Sequence, residues 1–409
     1  MSELIFKLFL LKYFIFIFTF AHAYSFGNNF FIEKPNNNYD SEEDYFGHHH
    51  HHHHHEDYND DDVNDVDQIS NTLIQSHIIF RHGNRTPDSF QELYPNDPYL
   101  NETYYPYGLG QLTNAGKLRE FTVGTSLRKR YQTFLSDMFL SEEVEAISTD
   151  FNRTKASLEL VLAGLYPPRR EQIWNNQLMW QPIPYNFAPR AQDSLLMGIL
   201  CPKYVEMYQE VLNSIVMQKQ FKNFHKIFKY VSSFSGLNVT TYGDIYNLYF
   251  GLSTEEEYGL VLPEWTRRVW PESITNIAIR EYYVLMAEND MRKMASGYLF
   301  KKIVDEAVLK ISRTDNKKKI FLYSAHENNI AQLLIFLGVF KPHIPNYGAH
   351  VILELHKIKE EFGIKVFYQN WQTQQPELLK IPDCNEFCSF KQFVKLFQKY
   401  IPNKNLCGN

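Results

Sequence analysis

From Ile69 onward, apolar positions follow two alternating periods. Ile74 to Phe80 is a strand candidate that leads straight into Arg81-His82-Gly83. The next periodic stretch predicts a helix from about Thr113, whose hydroxyl can cap it, to Tyr131. Glu145 to Ser148 reads as a second strand, and Asn152 to Leu165 as a helix with Ala156, Leu160 and Ala163 at helical spacing. A strand at Lys319 to Tyr323 then leads into a helix with Ile330, Leu333, Leu334 and Leu337 on one face. Val351 to Leu355 and Ile364 to Tyr368 are expected to pair as a hairpin across a turn near Glu360 to Gly363. This alternation predicts an α/β fold, a mostly parallel sheet flanked by helices. Residues 192–296 are rich in Tyr, Phe and Leu with few strand patterns, so they are expected to form an inserted, mainly helical cap domain. The sheet domain would then be discontinuous, spanning 71–191 and 297–409. No internal repeat is present.

The amino-terminal 70 residues follow neither period. Lys7 and Lys12, the apolar run from Phe14 to Phe20 and the Ala21-His22-Ala23 site predict a secretory signal peptide, residues 1–23, cut after Ala23. Residues 24–70 carry an Asn triplet, eight consecutive histidines (His48 to His55) and an acidic run at Asp60-Asp61-Asp62. Such a segment buries too little apolar surface to offset its chain entropy, and is expected to be disordered. The histidine run can take zinc, copper or nickel loosely, but a run without fixed geometry is assigned no catalysis.

Composition sharpens this division. Hydrophobic content of 44% and charged content of 22% fit a globular protein with a real core. The net charge of −6 is concentrated in the leading segment, since no Lys or Arg occurs from Pro35 to Phe80. The remainder is mildly basic, which suits an anionic substrate, and it lacks the dense basic stripe of a nucleic-acid binder. Cys201, Cys384, Cys388 and Cys407 allow three disulfide pairings. Cys384 and Cys388 are close enough to bridge locally, which would leave Cys201 to Cys407. No C-x-x-C pair occurs, so a structural zinc site is not expected. Asn101 and Asn238 each begin an N-x-Thr glycosylation acceptor. No later stretch is apolar enough for a stable membrane anchor.

Three segments share one design, in which a strand ends and charged residues follow. They are Arg81-His82-Gly83-Asn84-Arg85-Thr86-Pro87, Ser148-Thr149-Asp150-Phe151-Asn152-Arg153-Thr154 and Ser324-Ala325-His326-Glu327. Ligands of open α/β sheets bind at the carboxyl ends of strands, so these segments are expected to converge. Arginine forks match phosphate oxygens, a neutral imidazole is a competent nucleophile toward phosphorus, and a carboxylic acid can protonate a leaving oxygen. Taken singly, a histidine after a strand is more often structural, and an arginine is usually a solvated charge. The five fixed positions of R-H-G-x-R-x-P, however, arise by chance at roughly one site per few million.

That first segment resembles the active-site motif of the histidine acid phosphatases, in the histidine phosphatase superfamily with phosphoglycerate mutases and phytases. Gly110-Gln111-Leu112-Thr113-x-x-Gly116 and Trp180-Gln181-Pro182-Ile183-Pro184 resemble the lysosomal and prostatic branch, and the likeness runs from about Ile78 to Cys407. The resemblance implies a phosphoglycerate-mutase-like sheet and a phosphohistidine on His82. Arg81, Arg85, Arg153 and His326 would bind the substrate phosphoryl group, with Glu327 as proton donor. It also implies the Cys201–Cys407 and Cys384–Cys388 pairings, no cofactor and no metal, and a homodimer. Small phosphate monoesters or phosphoproteins would be the substrates.

One departure bears on mechanism. The family pairs its second histidine with Asp, whereas Glu327 stands here. Misplacing a reacting group by about 1 Å can cost roughly a hundredfold in rate, so activity is expected with the proton donor as its altered part. Flanking guanidinium groups should keep His82 neutral and Glu327 must be protonated to act as an acid. Together these predict an optimum around pH 4–6. Alternatives are a narrower phytase or lysophosphatidic acid phosphatase, or a secreted protein that binds phosphate ligands with weakened turnover. Secretion and delivery to a lysosomal or other acidic compartment are both compatible with the leader.

Overall fold

The computed structural model describes residues 71–88, 92–313 and 315–408. The expected signal peptide, low-complexity segment and histidine run lie outside the described residues.

Strand β1 (Leu73–Arg81) sits at the centre of an eight-stranded mixed sheet, with β2 (Val144–Ser148), β3 (Asn186–Phe187), β4 (Ile320–Ala325), β5 (His350–Ile358), β6 (Glu361–Gln369), β7 (Glu377–Leu379) and β8 (Cys388–Ser389). Its order is β3-β2-β4-β1-β5-β6-β7, with β8 also pairing β6. The half from β3 to β1 is parallel, and the half from β5 onward is antiparallel. β4 reads as a largely apolar run because helices cover both faces of the sheet, whereas β1 also buries the polar Gln75, Ser76 and His77. Ile79, Phe321, Tyr323 and Val351 point into one core with helices α9 (Tyr298–Ser312), α10 (Glu327–Phe336) and α11 (Phe390–Phe397). Ile78, Phe80, Ile320, Leu322 and Ile352 point into the other, against α1 (Asn114–Arg130) and α2 (Asn152–Leu165). The Thr113 hydroxyl caps α1, accepting from the Gly116 amide at 3.2 Å.

Between β3 and β4 the chain is helical: α3 (Pro202–Asn213), α4 (Ile215–Lys222), α5 (His225–Ser235), α6 (Tyr242–Tyr258), α7 (Glu272–Val284) and the short α8 (Asn289–Arg292), which passes through a π turn into α9. Helices α4 to α7 share a third core around Phe221, Phe228, Leu248 and Ile277, into which Tyr94 inserts. The disulfides are Cys201–Cys407 and Cys384–Cys388.

The β5–β6 hairpin forms, but its turn is earlier than the glycine suggested. Ile358 pairs with Glu361, so Lys359 and Glu360 make a two-residue turn, both at positive φ (48° and 66°). Gly363 lies inside β6 opposite His356; a Cβ there would stand 2.5 Å from the Phe387 ring. Its small size serves packing rather than the turn.

Candidate active site

Strand register brings the three charged segments together. Phe80 and Ser148 both pair with Ser324, and Arg81 pairs with Ala325. Because β2, β4 and β1 are parallel neighbours, the residues that follow them leave the same edge side by side. The His82 amide donates to Ala325 O at 3.1 Å, and the Thr149 amide to Ser324 O at 3.1 Å. The rings of His82 and His326 are 5.5 Å apart, near perpendicular. Arg153, in the first turn of α2, donates from Nε to His82 Nε2 at 3.3 Å.

Backbone contact holds His82 in place. The loop after β1 lies against the start of α1, where a Cβ on Gly83 would be 2.3 Å from Gly116 O and one on Gly116 would be 2.1 Å from Asn84 O. Only hydrogen fits at either position. Thr86 N and Thr113 N donate to Gln111 O and Asn84 O, tying the R-H-G-x-R-x-P and G-Q-L-T segments into one unit.

His82 Nδ1 lies 2.9 Å from Gly83 O. A carbonyl only accepts, so Nδ1 carries the proton and Nε2 keeps its lone pair toward Arg153. Burial, then the charges of Arg153 and Arg81, the His326 ring and Arg85, hold the His82 imidazole well below its usual range, hence neutral. His326 is also pushed well down, by burial and then by Arg153, Arg85, Arg81 and Arg190. The Thr149 hydroxyl, 3.0 Å from His326 Nε2, fixes that ring's tilt.

The arginines are buried with donors unspent. Arg81 gives Nη1 to Pro345 O at 2.6 Å and stacks on Tyr347 at 3.7 Å, while its Nε and Nη2 meet no hydrogen-bond acceptor. Arg85 is forked onto Glu92 at 2.5 and 2.7 Å, leaving Nε without one. Arg153 Nη1 pairs with Asp88 at 2.9 Å. Unpaired buried guanidinium donors are costly unless an anion meets them, so the pocket is built to receive one. Glu327 opens α10, with Oε2 3.8 Å from Arg81 Nε and Oε1 accepting from the Tyr246 hydroxyl.

All six residues singled out in the sequence (Arg81, His82, Arg85, Arg153, His326 and Glu327) therefore fall in one cluster. Glu92, Asp88, Tyr246 and Tyr347 were not foreseen. Asp88 directly follows the motif and was within reach of inspection. The others come from a loop, a helix and a turn that carry no local signature.

Residues 72–369 match the family description Histidine phosphatase superfamily (branch 2). A venom acid phosphatase of Apis mellifera is 37% identical over 333 residues, covering 81% of this chain and 86% of that protein. Human prostatic acid phosphatase is 30% identical, covering 80% of this chain and 84% of its own. Rat lysosomal acid phosphatase is 31% identical, covering 80% and 77%. Among solved structures, the phytase of Citrobacter braakii superposes with a TM-score of 0.60 at 16% identity, covering 81% of this chain and 98% of its own. That likeness speaks to the fold, and the family match together with these relatives places the chain in the histidine phosphatase superfamily, branch 2.

Proposed function

We propose that the protein is an exported acid phosphatase that hydrolyses phosphate monoesters through a phosphohistidine on His82. The carrying observation is a neutral imidazole lone pair set beside buried arginine donors that have no acceptor of their own. In the first step His82 Nε2 attacks phosphorus as the ester P–O bond breaks, and Glu327 gives its proton to the departing oxygen. Arg81, Arg85, Arg153 and His326 stabilise the equatorial oxygens as charge spreads over them. In the second step water attacks the phosphorus of the phosphohistidine. Glu327 takes back a proton, phosphate leaves and the imidazole is restored.

No step calls on a metal. Export is supported by the leader and by the likeness to a venom and a lysosomal acid phosphatase. Both glycosylation acceptors, Asn101 and Asn238, are exposed. Among the described residues no helix is long and apolar enough to cross a membrane.

The test is hydrolysis of p-nitrophenyl phosphate at about pH 5 in the presence of a chelator. The parent should turn over and His82→Ala should lose at least about a thousandfold. Turnover by His82→Ala within tenfold of the parent refutes the nucleophile; no turnover by a folded parent refutes the enzyme.

A further inference from the structure

Glu327 has two oxygens in different surroundings. Oε2 faces Arg81 at 3.8 Å without a hydrogen bond, and Oε1 receives the Tyr246 hydroxyl from α6. The half-buried Tyr246 ring is held edge-on between Phe250 at 5.0 Å and Tyr282 at 5.6 Å. Burial, and then the Glu327 carboxylate, push the phenol well above its usual range, so it remains a donor. The charged or titratable groups facing Glu327 are Arg81 from β1, Arg153 from α2, Tyr246 and Tyr249 from α6, and Tyr282 from α7. Of these, Tyr246 alone is shown hydrogen-bonded to the carboxylate.

We propose that Tyr246 is a positioning residue for the proton donor, pinning Glu327 Oε1 so that Oε2 delivers the proton to the leaving oxygen. This rests on the reading of Glu327 as that donor. A glutamate has one more rotatable bond than an aspartate, and each free rotamer scatters the acid away from the productive geometry. The phenol supplied by the helical segment removes that freedom.

The experiment compares Tyr246→Phe and Glu327→Ala on two substrates, reading kcat/KM, which reports the step in which the ester oxygen departs. Glycerol 2-phosphate expels an alkoxide that needs a proton, whereas p-nitrophenyl phosphate expels a stable phenolate. Tyr246→Phe should lower kcat/KM for the glycerol ester about tenfold and for the aryl ester about twofold. In a Glu327→Asp background, whose carboxyl stops one methylene short of Tyr246, the same substitution should cost nothing further.

If Glu327→Ala depresses both substrates equally, Glu327 is not the donor and the inference falls with it. If Glu327→Ala discriminates between them but Tyr246→Phe depresses both equally, or neither, the Tyr246 role alone is refuted. A Tyr246→Phe protein that fails to fold leaves Glu327→Asp to decide: with its carboxyl withdrawn from Tyr246, that variant must lose more kcat/KM on the glycerol ester than on the aryl ester, and an equal loss on both, or none, refutes the role.

Discussion

Arg153 makes two separable contributions, a fork and a charge, and replacing it in two ways distinguishes them. Its Nε holds His82 Nε2 at 3.3 Å and its Nη1 holds Asp88 at 2.9 Å, which leaves Nη2 for a phosphoryl oxygen. Lysine keeps the charge but offers one ammonium, which cannot span those positions. Methionine removes both charge and fork. Losing one preorganised donor to a transition-state oxyanion costs about 2.7–4 kcal/mol, or roughly a hundredfold to a thousandfold in rate. The ion pair with Asp88 is open to solvent, the aspartate side chain being 36% exposed, so its loss should cost no more than about 1 kcal/mol of stability. Both variants should therefore lose activity far out of proportion to stability. They should part on the acid side of the pH profile. If His82 is the nucleophile proposed above, it reacts only when neutral, so activity falls as pH drops through its pKa. Burial comes first in depressing that pKa and Arg153 next. Arg153→Met should carry the acid limb of kcat/KM upward, and Arg153→Lys should leave it nearly in place. Steady-state rates on p-nitrophenyl phosphate across about pH 3 to 8, with melting temperatures alongside, provide the assay. Either variant within tenfold of the parent, or an acid limb that moves alike in both, refutes this division of labour.

Stability should peak in mildly acidic solution. His77 is pushed down to about 3 by burial and then Lys302, and His350 to about 4 chiefly by burial, so the unfolded chain binds protons more readily and stability falls as pH drops below about 6.5. Glu281, pushed up to about 8 by burial, and Glu120 and Glu255, raised first by burial, keep protons in the folded state. Their contribution is full below the ordinary glutamate range and is lost as pH rises through their folded values. Melting temperature should thus be higher near about pH 6 than near 3 or 9, and a steady rise toward pH 9 would contradict the assignment. Gly116→Ala places a methyl 2.1 Å from Asn84 O, so the loop carrying His82 must shift by about 1 Å; kcat/KM should fall about a hundredfold, and an unchanged rate would show that the loop yields without moving the imidazole.

The parts of this molecule that could be read in advance are those specified by neighbours in sequence. The bounds of Asn152–Leu165 match the expected helix, but its buried stripe is Leu158, Val161, Leu162 and Leu165, and Ala156, Leu160 and Ala163, which marked the helical spacing, lie half-buried beside it; β1 differs from the Ile74 to Phe80 segment by one residue at each end. The meeting of Arg81, His82, Arg153 and His326 followed from one topological rule about parallel strand ends. What stayed hidden depends on contacts across long stretches of chain. Tyr246 is 81 residues from Glu327, in a helix whose pattern shows only that it packs. The fork of Glu92 on Arg85 joins two residues outside any named helix or strand, where no periodicity announces a contact. Gly363 was misassigned to the turn because small size and turn-forming ability cannot be told apart in a sequence; only the Phe387 ring in space decides between them.

Charge counting within the cluster ties its architecture to acidity. Arg81, Arg85 and Arg153 contribute three positive charges. Glu92 and Asp88 neutralise two of them through direct ion pairs, while Glu327 stands 3.8 Å from Arg81 without a hydrogen bond to it. With Glu327 ionised the cluster is balanced and has little net pull on an anion. With Glu327 protonated it carries one net positive charge, matched to a phosphate monoester in its monoanionic form, which predominates below the second phosphate pKa of about 6. If Glu327 is the proton donor proposed above, the same proton arms the general acid and opens the electrostatic place for the substrate. Tyr246 and Arg81 stand one at each oxygen of that carboxylate. Glu92 and Asp88 prevent three buried guanidinium groups from repelling one another before a phosphate arrives.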